Sequence, residues 1–184
     1  MDKIPIKLHP KAQDFLFEYF AILQRIFTDV LGQLDIAYIS IALINGNREI
    51  FFLSSKPSIE QNLIAKGLWE YDGAYQINFI HQKQPKLWSE LAHVRYPELL
   101  KQYKQDNHDL VAGISIPFDD SNYRGVFSFG FKKITLMIQQ MPSSYHEKLL
   151  AIGLYCLKNI RNGIPFPDKK RYYTKPQLEL ITNN

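Results

Sequence analysis

The sequence has one cysteine, no long hydrophobic run and no secretion signal. Cys156 is the only cysteine among 184 residues, which excludes an internal disulfide and a zinc site built from several cysteines. The longest apolar runs, such as Ile36–Ile44, fall well short of the roughly 18 residues that a membrane span needs. No apolar stretch with a cleavage site follows Met1. We therefore expect a cytoplasmic protein that makes no use of a membrane.

Motifs of catalysis and metal binding are missing as well. The sequence contains no phosphate-binding loop, no Gly-x-Gly-x-x-Gly, no His-Glu-x-x-His and no Gly-x-Ser-x-Gly. Its 5 histidines never fall at the four-residue helical spacing that brings two imidazoles to one metal. These absences predict a protein that is not an enzyme and that uses no metal and no cofactor.

The composition is that of one globular domain. Hydrophobic residues make up 46% and charged residues 22% of the chain, close to the average for folded domains. The formal net charge of +4 is spread among acidic residues and glutamines, and we interpret it as solvated surface. Composition therefore predicts no DNA-binding face within this chain.

The hydrophobic pattern predicts an alternation of helices and strand pairs. Apolar residues at helical spacing mark the helices and apolar runs beside turn residues mark the strands; the predicted helices are 10–31, 58–68, 96–105 and 144–162, and the predicted strands are Ile36–Ile44, 48–54, 110–118 and 125–132. Asn45-Gly46-Asn47 is typical of a tight hairpin turn. This order predicts an α/β/α sandwich with a mostly antiparallel sheet of about five strands, similar to PAS and GAF domains.

One aromatic segment stands out between the two strand pairs. Trp69, Tyr71, Tyr75 and Trp88 surround Asp72 in the sequence. Aromatic walls bury apolar ligand surface while a carboxylate orients the ligand, so these five residues are candidates for a small-molecule pocket. The alternative is that the aromatic rings only fill the space between this crossing segment and the sheet.

Three stretches of the chain resemble one family. Residues 113–117 (Gly-Ile-Ser-Ile-Pro) and 124–129 are similar to a strand pair of the LuxR-type transcriptional regulators, and Pro85-x-x-Trp88 is similar to their Pro-x-x-Trp. Residues 174–181 resemble the opening of the family's helix-turn-helix domain. The chain thus resembles the N-terminal autoinducer-binding domain of these bacterial quorum-sensing regulators.

The resemblance implies roles for three residues. Asp72 would bind a ligand amide N–H, Trp88 would pack against the ligand head, and Ser128 would bond an acyl carbonyl. Residues 55–59 read Ser-Lys-Pro-Ser-Ile where the family has Tyr-Pro-x-x-Trp, whose tryptophan holds the lactone carbonyl. The resemblance therefore implies a small amphipathic signal and disfavours an acyl-homoserine lactone.

The resemblance also implies a domain division and a set of partners. Residues 1–164 would be the ligand-sensing domain, and residues 165–184 a linker with the truncated start of a helix-turn-helix. The expected protein is a homodimer that binds a small molecule and reaches DNA only through a helix-turn-helix domain that this chain lacks.

Two other functions remain open on the sequence alone. The first is a ligand-independent dimerisation or protein-interaction module that uses the last helix, whose apolar stripe contains Leu149, Ile152, Cys156 and Ile160. The second is a small enzyme, for which Asp72 beside His81 or His93 is the best available acid–base pair.

Overall fold

The computed structural model describes residues 5–120 and 122–168, which form one sheet between two helical layers. The elements in chain order are β1 (Lys7–Leu8), α1 (Ala12–Glu18), α2 (Phe20–Thr28), β2 (Ile36–Ile44), β3 (Glu49–Ser54), α3 (Pro57–Ala65), α4 (Ile77–Gln82), β4 (Lys86–Leu87), α5 (Pro97–Lys104), β5 (Ala112–Asp120), β6 (Tyr123–Phe131), α6 (Leu136–Gln140) and α7 (Ser143–Gly163). Short 3₁₀ turns at Trp69–Tyr71, Gly73–Tyr75 and Trp88–Glu90 shape the crossing between β3 and β5.

The six strands lie in the order β1-β3-β2-β6-β5-β4. All neighbours are antiparallel except β1 and β3, which are parallel. Asn45 forms the predicted hairpin turn, since its Oδ1 accepts hydrogen bonds from the backbone N–H groups of Asn47 and Glu49. The predicted α/β/α sandwich is confirmed, with the short edge strands β1 and β4 added to it.

The first predicted helix is two helices. The chain kinks at Tyr19, whose φ of −115° and ψ of 29° are not helical. The prediction of one helix over residues 10–31 failed because the two parts have different partners: α1 packs against β3 and α2 packs against α7. The short helices α4 and α6 also lay outside the sequence prediction.

One face of the sheet is lined by large apolar side chains under α2 and α7. Leu149, Cys156 and Ile160 of α7 are fully buried in this core. Gly153 brings the helix close, since a Cβ there would lie 2.6 Å from the Phe127 ring. The apolar stripe of the last helix therefore covers the sheet, which corrects the hypothesis that it forms a contact surface.

The opposite face carries smaller and more polar side chains. It meets α3, α4, α5 and the 3₁₀ turns of the crossing segment, which form a second core with Tyr38, Ala42 and Val126. Within the described residues, no helix is long and apolar enough to cross a membrane. The candidate site residues are found on this second face.

Candidate functional site

A row of four buried serines crosses the second face of the sheet. Strand register places one serine of each central strand beside the next, in the order Ser54, Ser40, Ser128, Ser115. Each is at most 2% exposed. Four hydroxyl groups in an otherwise apolar sheet need hydrogen-bond partners, because an unpaired buried hydroxyl costs about 1–3 kcal/mol. Ser115, at one end of the row, receives such a partner from the crossing segment.

Trp88 docks on one end of this row. Its indole Nε1–H donates to Ser115 Oγ at 3.0 Å, and Ser115 Oγ lies 2.9 Å from Ser128 Oγ. The ring rests directly on Gly113, where a Cβ would come within 2.0 Å of it. Glycine at this position is what allows the indole to lie flat on the strand.

Asp72 forms a buried ion pair with Lys104. Its carboxylate is fully buried, and its Oδ2 lies 2.7 Å from Lys104 Nζ. The other oxygen, Oδ1, accepts from the backbone N–H of Ala74 at 2.9 Å and caps the turn that follows. The ammonium also lies 4.6 Å from the centre of the Trp88 ring, a cation–π contact. Asp72, Lys104, Trp88, Ser115 and Ser128 thus form one continuous chain of contacts, which we call the buried polar layer.

His93 closes the layer toward the surface. Its Nδ1 accepts from the backbone N–H of Gly73 at 2.9 Å and lies 3.7 Å from Asp72 Oδ1. Burial lowers the pKa of His93, and the positive charge of Lys104 opposes the raising effect of Asp72. The imidazole is therefore neutral at pH 7, with its proton on Nε2, and Nδ1 is occupied by the backbone.

A second acid, Glu60 of α3, is buried beside the layer. Glu60 is 1% exposed and accepts a hydrogen bond from the hydroxyl of Tyr38. Burial raises the pKa of Glu60 to about 7, although the Tyr38 hydrogen bond acts in the opposite direction. The pKa of Tyr38 is raised well above its usual value by burial and by the charge of Glu60. Tyr38 therefore stays protonated and acts as a donor.

A cleft of about 550 Å³ opens onto the outer side of the buried polar layer. It lies between α5, the turn at Trp88–Glu90, the start of β5 and the region of α6, and its walls include Trp88, His93 and Lys104. Asp72 and Ser128 do not line this cleft; they lie behind Lys104 and Ser115. Its volume falls within the range of small-molecule sites.

The other predicted site residues lie in different places. Tyr75 belongs to the layer, since Lys104 Nζ lies 6.0 Å from the centre of its ring, and its pKa is raised by burial and then by Asp72. Trp69 lines another cleft, of about 270 Å³, together with Tyr75. Tyr71 packs its ring against Tyr96 at 5.3 Å. Asp72, Tyr75, Trp88 and Ser128 are thus brought together, and Trp69 and Tyr71 lie at the margin.

The sequence matches no protein-family model and no curated protein. Among solved structures, SdiA of Escherichia coli aligns with a TM-score of 0.56 and 12% identity, covering 93% of this chain and 76% of that one. The VqsR LBD domain of Pseudomonas aeruginosa aligns with a TM-score of 0.51 and 12% identity, covering 81% of this chain and 96% of that one. The chain shares its fold with these two proteins. At these identities the similarity establishes the fold.

Sequence reasoning missed Lys104. The resemblance implied a ligand N–H as the partner of Asp72, yet the partner is this lysine. A signal existed, because Lys104 follows Leu100 by four residues and shares its buried helix face. A lysine at such a position is normally expected to face solvent. Only the folded structure shows that Asp72 lies opposite Lys104.

The two histidines suggested as acid–base partners of Asp72, His81 and His93, make other contacts. His81 Nε2 lies 2.5 Å from Arg124 Nη1 in an exposed contact. His93 uses Nδ1 to hold the backbone of Gly73. Among the residues that the structure describes, no group of three or more histidine, cysteine, aspartate or glutamate side chains is placed to hold a metal ion.

Proposed function

We propose that this chain is the ligand-sensing regulatory domain of a LuxR-like transcription regulator, which binds a small amphipathic molecule and controls an attached or partner DNA-binding domain. The observation that carries the proposal is the cleft whose walls include Trp88 and Lys104 of the buried polar layer. Trp88 contacts the ligand directly and supplies an aromatic wall. Asp72 orients Lys104, and Ser128 orients Trp88 through Ser115.

This arrangement suits a sensor because the cleft and the sheet are coupled. A ligand that displaces Trp88 breaks the hydrogen bond to Ser115, which lies on β5 beside β6. A ligand that leaves Trp88 in place stiffens the same contact. Either response changes the sheet on which α7 packs. The helix-turn-helix suggested by residues 174–181 lies outside the described residues, and DNA contact through such a domain is part of the proposal.

The test is native mass spectrometry of the domain as purified from its host, followed by extraction and identification of any bound small molecule. We expect a co-purifying amphipathic molecule. Trp88→Phe keeps an aromatic ring but removes the indole N–H that donates to Ser115. It should therefore lower the fraction of the domain that carries the molecule. Ser128→Ala should do the same by freeing Ser115. Ser54→Ala, at the far end of the serine row, is the matched control and should retain the molecule.

Two results would contradict the proposal. The first is a domain that purifies without any small molecule and gains no thermal stability from a library of amphipathic compounds; a true ligand at 100 times its Kd stabilises by about 2.7 kcal/mol. The second is loss of the molecule from Ser54→Ala to the same extent as from Ser128→Ala, which would place the site elsewhere on the sheet.

A ligand-independent dimerisation module is the second candidate function. Leu154 and Tyr155 are 44% and 48% exposed on the outer side of α7, and the Asp72–Lys104 pair completes the buried polar layer without a ligand. In this case the domain should sediment as a homodimer at micromolar concentration, and Tyr155→Glu should convert it to a monomer. Gln13→Glu, which adds the same single charge at an exposed position of α1, serves as the charge control. A wild-type monomer in this range would refute the module.

A further inference from the structure

The charged side chains along the cleft are all basic. Of the residues described there, Lys101 and Lys104 carry charge at pH 7, and no aspartate or glutamate lines the cleft. Lys101 precedes Lys104 by three residues, so both lie on the same face of α5. Lys101 is exposed at the mouth, and Lys104 is 4% exposed at the inner wall.

The ion pair in the buried polar layer is oriented with respect to the cleft. Lys104 lines the cleft, whereas Asp72 lies behind it. The nearer charge dominates at short range, since the Coulomb energy falls with distance. The field inside the cleft is therefore positive at both its mouth and its inner wall, even though the pair itself has no net charge. His93 adds no charge there, because burial lowers its pKa.

The remaining walls are mostly apolar, with Ser89, Gln105 and Gln139 among them, and are partly open to solvent. They consist mainly of aliphatic side chains: Leu87, Leu91, Leu100, Val111, Ile134 and Ile138. Val111 and Ile134 come from separate segments, and their side chains are 51% and 56% exposed. Two half-exposed aliphatic residues facing one cleft provide a surface that an alkyl chain can cover with a gain in free energy.

From this charge and this lining we infer that the cleft binds a single-chain amphiphile with an anionic head, the head beside Lys101 and the chain across Val111 and Ile134. The inference rests on the proposed function and specifies its ligand class. A neutral head would leave the positive field of the two lysines unused, and a cationic head would be repelled by both.

The test compares three ten-carbon probes at concentrations at which each is monomeric: decanoate, 1-decanol and decyltrimethylammonium. Binding is followed by tryptophan fluorescence, since Trp88 lines the cleft, and by thermal stability. We expect decanoate to bind most tightly, 1-decanol more weakly and the ammonium probe least. Raising the salt concentration should weaken decanoate binding and leave 1-decanol binding unchanged.

Variants locate the site. Lys101→Gln should raise the Kd for decanoate about two- to fivefold, the range for an exposed ion pair, while Lys158→Gln on α7 should have no effect. Val111→Glu puts a carboxylate into the cleft and should raise the Kd at least about tenfold. Leu154→Glu, with a similar exposure on α7, is its control.

The outcomes separate this inference from the proposed function. If 1-decanol binds as tightly as decanoate and Lys101→Gln changes neither Kd, the anionic head is refuted while an amphipathic ligand in this cleft is upheld. Tightest binding of the ammonium probe also refutes it. If none of the three probes binds, the inference is overturned, and the proposed function is decided by the molecule that co-purifies with the domain.

Discussion

The buried Asp72–Lys104 ion pair should contribute to the stability of the domain. Lys104→Met keeps most of the length of the side chain but removes its charge, so the Asp72 carboxylate remains fully buried with the Ala74 N–H as its hydrogen-bond donor. Removing one partner of a buried pair costs about 3–5 kcal/mol, because the other charge is left without compensation. For a domain of this size, that loss lowers the Tm by about 6–20 °C.

The measurement is urea denaturation followed by circular dichroism, together with the double variant Asp72→Asn/Lys104→Met. Asparagine keeps an oxygen that accepts from Ala74 while removing the charge, so the double variant should recover most of the stability. Lys101→Met, one turn earlier and exposed, is the matched control and should stay within about 0.5 kcal/mol of wild type. A loss below about 1 kcal/mol for Lys104→Met would refute the buried pair.

Three further predictions concern single residues. Burial raises the pKa of Glu60 to about 7, so the folded state holds a proton that the unfolded state releases near pH 4.5. The contribution of Glu60 to stability is therefore full below that pH and falls by about 3 kcal/mol as the pH rises to 7. Glu60→Gln should remove this contribution from the pH dependence of the denaturation curves, and exposed Glu98→Gln should leave it in place. Gly113→Ala should destabilise the domain by about 1–3 kcal/mol, because the new methyl group overlaps the Trp88 ring. For the same reason the tryptophan emission should shift to the red. An unchanged emission spectrum would contradict this packing. Cys156 is fully buried with its pKa raised to about 12, so a thiol reagent should label it only in denaturant, and rapid labelling of the native domain would contradict its position.

The sequence predicted the fold well where local chemistry determines it. Asn45 and Gly46 determine a hairpin through the turn they allow, and the buried strand Ile36–Ile44 is nearly all apolar. It failed at Tyr19, where α1 and α2 turn toward different neighbours. Hydrophobic periodicity indicates that residues are buried, but it does not indicate whether a strand or another helix buries them.

The candidate site was predicted in part. Aspartate and tryptophan in an irregular crossing segment are conspicuous, so Asp72 and Trp88 could be selected from the sequence alone. Lys104 and Glu60 could not, because charged residues on amphipathic helices are normally solvated. Their burial depends on two partners that are distant in the sequence, Asp72 and Tyr38, and that come close to them only in the folded chain.

The serine row distinguishes the face of the sheet that carries the candidate site. Each central strand contributes one serine among apolar residues, which by itself is unremarkable, and only the strand register aligns the four. The opposite face receives Phe127 and Phe129 and closes tightly on α7. A tightly packed apolar layer offers no hydrogen-bonding group to a ligand and tolerates little rearrangement. The serine face, by contrast, holds the crossing segment through the Trp88–Ser115 hydrogen bond, and within that segment Asp72 pairs with Lys104. These polar contacts are few, directional and adjacent to the cleft, so a molecule bound beside Trp88 can alter them without dismantling the apolar core behind the sheet.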